Sequence, residues 1–386
     1  MKELRFTALL TLISISLLIG CANTKHNFQV SGYLFEKHIS TQVDSEQAKQ
    51  YFELLVKESQ SSDTSTAKRS GMLVRPEIGA VPSSKQLAII TQQYSTDYAA
   101  LYLLDELSKH DASQTLQREF SHSLQALKQS TANFPKGRLR DYRILLVPGW
   151  NYIDSGAITG SDYHSAMPML EELGVETILV KIEEHGSVGD NALVIERYIK
   201  EAHQEYRSII VASASSAGPA VALALSRLNI ESNSAVNSVR GWLNIVGIIK
   251  GSPIVEHYGI WPRNWLLRMV TLVEGWPMES VQSMGQRAST LRFEKSKLPL
   301  HITYVNYLGI PLSGNISDFA NHGYQIMKSQ GPNDGLTLLA DAILPNSGSI
   351  VALGRDHFIN SEPETGLRTA ALLMAMLNAI QFRVVE

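Results

Sequence analysis

Cysteine is nearly missing from this chain of 386 residues, where Cys21 is the only one. An intrachain disulfide framework and a cysteine-ligated zinc site are thereby excluded. An excess of one charge is missing too. The 34 basic and 37 acidic side chains leave a formal net charge of -3, so no electrostatic footprint for nucleic acid is present. Charged residues make up only 18% and apolar ones 44%, which excludes wholesale disorder and leaves material for a sizeable core. Three mechanical motifs are absent as well: H-E-x-x-H, G-x-x-x-x-G-K-[ST], and G-x-G-x-x-G after a strand. Metalloprotease, P-loop and dinucleotide chemistry therefore lack their parts. The 11 histidines are scattered without ligand spacing, so no metal and no cofactor is expected.

The single cysteine has informative surroundings. Lys2 and Arg5 precede the apolar run Phe6 to Ile19, and Gly20-Cys21-Ala22 follows. A short basic region before an apolar stretch of about 14 residues is a secretory signal, too short to span a bilayer comfortably. Leu18-Ile19-Gly20-Cys21 resembles a bacterial lipobox. The resemblance implies removal of residues 1–20, acylation of Cys21 and a protein anchored to a membrane of the bacterial cell envelope. Each buried methylene of such an anchor contributes about 0.8 kcal/mol. Ala22, rather than aspartate, follows the cysteine, which resembles the outer-membrane sorting pattern where an organism has two membranes. An ordinary signal with an incidental cysteine, or an uncleaved anchor, is the alternative.

Residues 21–140 are expected to form a tether and a helical accessory region packed on a main domain. Asp44-x-x-Gln47 suits a helix cap ahead of Tyr51, Phe52, Leu54 and Leu55. Helical spacing recurs at Tyr98, Leu101, Leu104 and Leu107, and again at Phe120, Leu124 and Leu127. Ser59 to Ala67 is a polar, Ser/Thr-rich loop. From Tyr142 the pattern changes. Apolar runs at 144–148, 177–182, 208–212, 242–248, 300–306 and 349–353 alternate with helical stretches at 167–173, 192–204, 217–228, 336–344 and 366–380. Buried parallel strands read as such continuous runs, and this alternation predicts an α/β domain over 141–386 with a mostly parallel sheet and helices on both faces. Residues 250–297 break the rhythm with Trp261, Trp265 and Trp276, and are expected to be a cap or lid inserted between strands.

The segment richest in chemistry is Ile209-Ile210-Val211-Ala212-Ser213-Ala214-Ser215-Ser216-Ala217-Gly218. An apolar strand runs into small residues and then directly into an Ala/Leu helix. A sharp strand-to-helix turn needs small neighbours and lifts its central side chain to the sheet edge where α/β ligand sites lie. The central residue is Ser215, with Ser213 and Ser216 as rivals if the turn is shifted. Here the sequence resembles the α/β-hydrolase superfamily, whose nucleophile elbow is usually G-x-S-x-G. Ser213 and Ala217 stand where glycines are usual, and they tolerate a strained turn less freely.

The resemblance implies a base and an acid further along, in the order Ser, Asp or Glu, His. Asn333-Asp334-Gly335-Leu336 and Gly354-Arg355-Asp356-His357-Phe358 fill those slots, with His357 after the last apolar strand. A serine hydroxyl is a poor nucleophile until a base takes its proton and an acid orients that base. Asp318, four residues before His322, is the rival acid. Asp356 is set aside because adjacent side chains in an extended loop point apart. Val147-Pro148-Gly149-Trp150-Asn151 resembles the superfamily's oxyanion loop, which implies N–H donors from Trp150 and Ser216, with Asn151 as the substitute. The expected activity is hydrolysis of a small-molecule or lipid ester through an acyl-enzyme. The other reading is a catalytically degenerate copy of the fold with a binding or envelope-organising role, which the glycine-poor elbow favours and the complete Ser–Asp–His order opposes.

Overall fold

The computed structural model describes residues 27–34, 37–60, 81–134, 137, 139–205, 208–358 and 364–383. Cys21 and the signal expected over residues 1–20 lie outside them. The described chain opens with an antiparallel hairpin, β1 (Phe28–Leu34) and β2 (Lys37–Val43). This hairpin was not expected. Its strands bury only alternate residues such as Val30, Leu34, Ile39 and Val43, a half-buried pattern with no continuous apolar run. Helices α1 (Glu46–Gln60), α2 (Ser84–Gln93), α3 (Thr96–Ser108) and α4 (Asp111–Gln129) follow, as expected of a helical N-terminal region. The cap of α1 is Ser45, whose Oγ accepts the Ala48 N–H at 3.0 Å, and not Asp44. Asp44 is drawn instead toward α3, where its N–H donates to Asp97 Oδ2 at 2.8 Å.

The main sheet has six parallel strands in the order β4-β3-β5-β6-β7-β8. They are β3 (Arg143–Val147), β4 (Thr177–Leu179), β5 (Ile209–Ala214), β6 (Val239–Ile245), β7 (Thr303–Ile310) and β8 (Gly348–Leu353). Between them run α5 (Tyr152–Thr159) and α6 (Ala166–Glu172), then α7 (Val188–Glu205) and α8 (Ala217–Ile230). The insertion between β6 and β7 folds as four short helices: α9 (Pro253–Gly259), α10 (Asn264–Glu274), α11 (Met278–Ser283) and α12 (Gln286–Glu294). Helix α13 (Asp318–Met327) follows β7, and α14 (Thr365–Arg383) closes the chain.

Period-two alternation divides each buried strand between two cores. Ile144, Leu146, Ile210 and Ala212 pack with residues of α4, α6 and α14. Leu145, Val147, Ile209 and Val211 pack on the other face with residues of α7 and α8. The N-terminal elements join this architecture on both sides of β7 and β8. The hairpin and α1 to α3 form a third cluster with Leu308, Ile310, Val351 and Leu353, while α4 contributes Leu116 and Phe120 to the α14 side. Helix α4 also serves the outer border of β8. There Ser349 N–H donates to Ser113 Oγ at 3.0 Å and Val351 N–H to Gln117 Oε1 at 2.8 Å.

One expected helix is corrected. Residues 336–344 contain only a 3₁₀ turn, Leu339–Ala342. Their polar groups bond outward rather than along a helix. Leu339 N–H donates to Pro332 O (3.0 Å), Leu344 N–H to Asn306 Oδ1 (3.2 Å), and Thr337 Oγ1 to Gly251 O (2.8 Å). Among the described residues, no helix is long and apolar enough to cross a membrane, and no group of three or more His, Asp or Glu is placed to hold a metal ion.

Candidate active site

Ser215 sits in the turn from β5 into α8 with φ 53°, a left-handed conformation that a non-glycine residue adopts at a cost of roughly 1–3 kcal/mol. The surroundings over-determine it. Ser215 N–H donates to Ile245 O (3.0 Å), and its carbonyl accepts from Gly218 N–H and Ile248 N–H, both at 3.1 Å. Val246, beside it, is also left-handed at φ 42°, and its N–H is fixed on Tyr307 O at 2.8 Å. Small neighbours make the turn possible. A Cβ on Gly218 would lie 2.9 Å from Ile249 Cδ1 and 3.2 Å from Gly247 Cα, so helix and loop approach closely there.

Three side chains expected from the sequence meet at this point. His357 Nε2 is 2.8 Å from Ser215 Oγ, and His357 Nδ1 is 2.8 Å from Asp334 Oδ2. An ionised carboxylate only accepts, so Nδ1 carries the ring proton and Nε2 of the neutral imidazole accepts from the serine hydroxyl. Asp334 and His357 are 2% and 5% exposed, which strengthens the pair by keeping water from it. The loop carrying Asp334 is tightly bonded. Gly335, at φ 97°, takes the turn; Asn333 Oδ1 accepts the Gly335 N–H, and Asp334 Oδ1 accepts those of Leu336 (2.9 Å) and Thr337 (2.8 Å). Only Oδ2 is left to face the imidazole.

The rivals are occupied elsewhere. Ser213 is fully buried and accepts the Trp242 indole N–H at 2.8 Å. Asp356 Oδ2 accepts the Ser317 N–H at 2.7 Å and its Oδ1 the Phe358 N–H at 3.0 Å. Asp318 begins α13, and His322 pairs with Tyr258 of α9.

Gly149 brings the loop after β3 against the elbow. A Cβ there would stand 3.2 Å from Ser215 Cβ and 3.3 Å from Ser161 Cβ, so the glycine serves close approach. The backbone N–H groups of Trp150 and Ser216 donate to no protein acceptor among the described residues. Asn151 N–H, by contrast, is turned to Glu184 O at 3.4 Å. Two further residues hold this loop: His185, to which nothing in the sequence pointed, and Trp276, which the sequence marked only as one of three tryptophans in the insertion. His185 donates from Nε2 to Asn151 Oδ1 at 2.9 Å, with Asn151 left-handed at φ 55°. Trp276, from the insertion, packs edge-on against Trp150 with ring centroids 5.6 Å apart, and His185 lies 5.1 Å from the Trp150 ring. The insertion also shows apolar surface on α10 and just before it, with Trp261, Trp265 and Leu272 exposed by 81%, 61% and 76%.

No protein-family model matches the chain, and no curated protein matches it. Solved structures do. The Bacillus licheniformis lipase BlEst2 in its propeptide form aligns with a TM-score of 0.50 and 17% identity, covering 62% of this chain and 51% of that one. This chain therefore spans about half the length of that propeptide form. A carboxyl esterase of metagenomic origin aligns with a TM-score of 0.49 and 22% identity, over 63% of this chain and 76% of its own. With six parallel strands, helices on both faces and a strained serine turn between β5 and α8, the chain has the α/β-hydrolase fold.

Proposed function

We propose that the chain is a serine hydrolase that cleaves carboxylic esters through an acyl-enzyme. The observation that carries this reading is the hydrogen-bonded line Ser215 Oγ–His357–Asp334, 2.8 Å at each step, ending on a strained serine. Ser215 Oγ attacks the ester carbonyl while His357 Nε2 takes the hydroxyl proton, and Asp334 stabilises the imidazolium that forms. The tetrahedral oxyanion takes the Trp150 and Ser216 N–H groups, donors each worth roughly 2.7–4 kcal/mol in such sites. Collapse expels the alcohol, which receives the proton from Nε2. Water, deprotonated by the same nitrogen, then attacks the acyl-serine and releases the carboxylic acid. Neither a cofactor nor a metal enters these steps. The helical insertion caps the acyl-binding side through the Trp276–Trp150 contact.

The lipobox-like Leu18-Ile19-Gly20-Cys21 supports the further reading that Cys21 is acylated after removal of residues 1–20, anchoring the enzyme in a bacterial cell envelope, at the outer membrane where there are two. A degenerate copy of the fold kept for binding is disfavoured, because it has no use for strain at Ser215.

The full-length chain is expected to hydrolyse p-nitrophenyl butyrate and to be labelled by a fluorophosphonate, with both lost in Ser215→Ala. Labelling that persists in Ser215→Ala, or no labelling of the folded wild type, overturns the proposal.

A further inference from the structure

Between Gly149 and Asp154 the chain turns from β3 into α5, and one residue of another loop collects most of its N–H groups. Gly149 donates to Ser161 O at 3.1 Å and Asn151 to Glu184 O at 3.4 Å, which sets Trp150 between two fixed neighbours. Ile153 and Asp154 both donate to a single carboxylate oxygen, Glu184 Oε1, at 2.9 Å each. Glu184 thus holds this stretch at three points, two through its side chain and one through its carbonyl. We propose that Glu184 is a positioning residue for the oxyanion donor at Trp150. The inference rests on the ester-hydrolase reading, in which the Trp150 N–H meets the developing negative charge.

A helix leaves its first N–H groups without partners inside it, and the residue ahead of it usually supplies an acceptor from an extended backbone. Asn151 holds that place before α5, yet its side chain caps nothing. It is left-handed at φ 55°, with Nδ2 on Ser155 Oγ and Oδ1 on His185 Nε2. Capping by Asn151 itself would require the extended backbone and would redirect the chain next to Trp150. Glu184 caps α5 from outside instead, with a negative charge where the helix dipole favours one, so Asn151 keeps its left-handed turn.

The cap stands on a fixed support. Glu183, the preceding residue, donates its N–H to Asn191 Oδ1 (3.0 Å), and its carbonyl accepts from Asn191 Nδ2 (3.1 Å). Asn191 belongs to α7 and is buried. Gly186 lets the chain turn closely there, since a Cβ on it would lie 2.6 Å from Glu183 Cβ and 2.8 Å from Asn191 Oδ1. Helix α7 therefore sets where the carboxylate stands, and the carboxylate sets where the loop after β3 stands.

The test uses the full-length chain, p-nitrophenyl butyrate as substrate, and an alkyl trifluoromethyl ketone with its methyl ketone counterpart as inhibitors. Ser215 Oγ bonds to the trifluoromethyl ketone carbon, its proton passes to His357 Nε2, and the carbonyl oxygen becomes an oxyanion. That inhibitor therefore reports on the oxyanion donors, and the methyl ketone on ground-state binding. In Glu184→Ala, kcat is expected to fall about 30-fold with KM within about twofold. The trifluoromethyl ketone constant should rise by the same factor while the methyl ketone constant holds. Glu184→Gln keeps an acceptor at the same reach and should stay within about threefold of wild type. Glu184→Asp keeps the charge but falls one methylene short, and about a tenfold loss is expected. That variant decides the matter if Glu184→Ala does not fold. Full activity in Glu184→Asp, or a loss of kcat that leaves the trifluoromethyl ketone constant unmoved, overturns the proposal while an active wild type keeps the hydrolase reading. A folded wild type without activity overturns both.

Discussion

Asp334 grips His357 twice: its Oδ2 lies 2.8 Å from His357 Nδ1, and its main-chain carbonyl accepts the His357 N–H at 2.9 Å. The backbone bond sets where the base stands, and the side-chain bond sets which ring nitrogen is protonated. Asp334→Asn separates the two. It preserves an acceptor for Leu336 and Thr337 and the backbone bond, but it can present an N–H to Nδ1 and favour the wrong tautomer. The expected result is a loss of kcat of roughly 10⁴-fold with little change in melting temperature. A loss under tenfold in steady-state kinetics would remove Asp334 from the role of orienting group.

Gly149→Ala tests the approach of the loop after β3 to Ser215. The added methyl meets Ser215 and Ser161 carbons at 3.2 and 3.3 Å, so the loop must retreat by a few tenths of an ångström. Donors placed for a transition state act over short distances, and kcat is expected to fall about 10–100-fold with KM within about twofold. An unchanged kcat would show that the loop is not bound to the elbow as tightly as its contacts imply.

His185→Ala removes the donor on Asn151 and one ring from the Trp150 cluster. The same split is expected, a lower kcat with KM nearly constant, and His185→Gln, which can donate to the same amide oxygen, should recover part of it. Equal loss in both variants would indicate a packing role instead.

Asp97 provides a pH test of the N-terminal half. It is fully buried in α3, and it accepts from Asp44 N–H, Ser313 N–H and the Ser313 hydroxyl. Burial, and then the neighbouring Asp44, push its carboxyl up to about 7. A raised acid favours the protonated folded state. Its contribution is therefore complete below the ordinary carboxylate range and is lost as pH rises through about 7. The stability difference between wild type and Asp97→Asn in urea unfolding should shrink by about 1–3 kcal/mol between pH 5 and pH 8. A difference independent of pH would mean that Asp97 does not titrate in this window.

What the sequence disclosed follows from how locally each feature is encoded. The elbow is a contiguous strand, a small-residue turn and a helix, so residues 209–220 announce it. Asp334 and His357 are marked by chain order and by their turn residues. The hairpin strands bury every second residue or fewer, which leaves a faint pattern. Residues 336–344 carry helical spacing, yet long-range partners at Gly251, Asn306 and Pro332 capture their polar groups. His185 is invisible in one dimension, and Trp276 shows there only as a tryptophan of the insertion, since their contact with Trp150 arises only where three separate loops meet.

The side chains of α4 that meet β8 bear on how the end of the sheet is protected. β8 ends the sheet, and an uncovered sheet border invites pairing with another chain. Ser113 and Gln117 take up the Ser349 and Val351 N–H groups that would otherwise recruit a foreign strand. Helix α4 thereby covers the sheet border, and a truncation that removed it would leave Ser215, Asp334 and His357 in place on a sheet with an open, aggregation-prone edge.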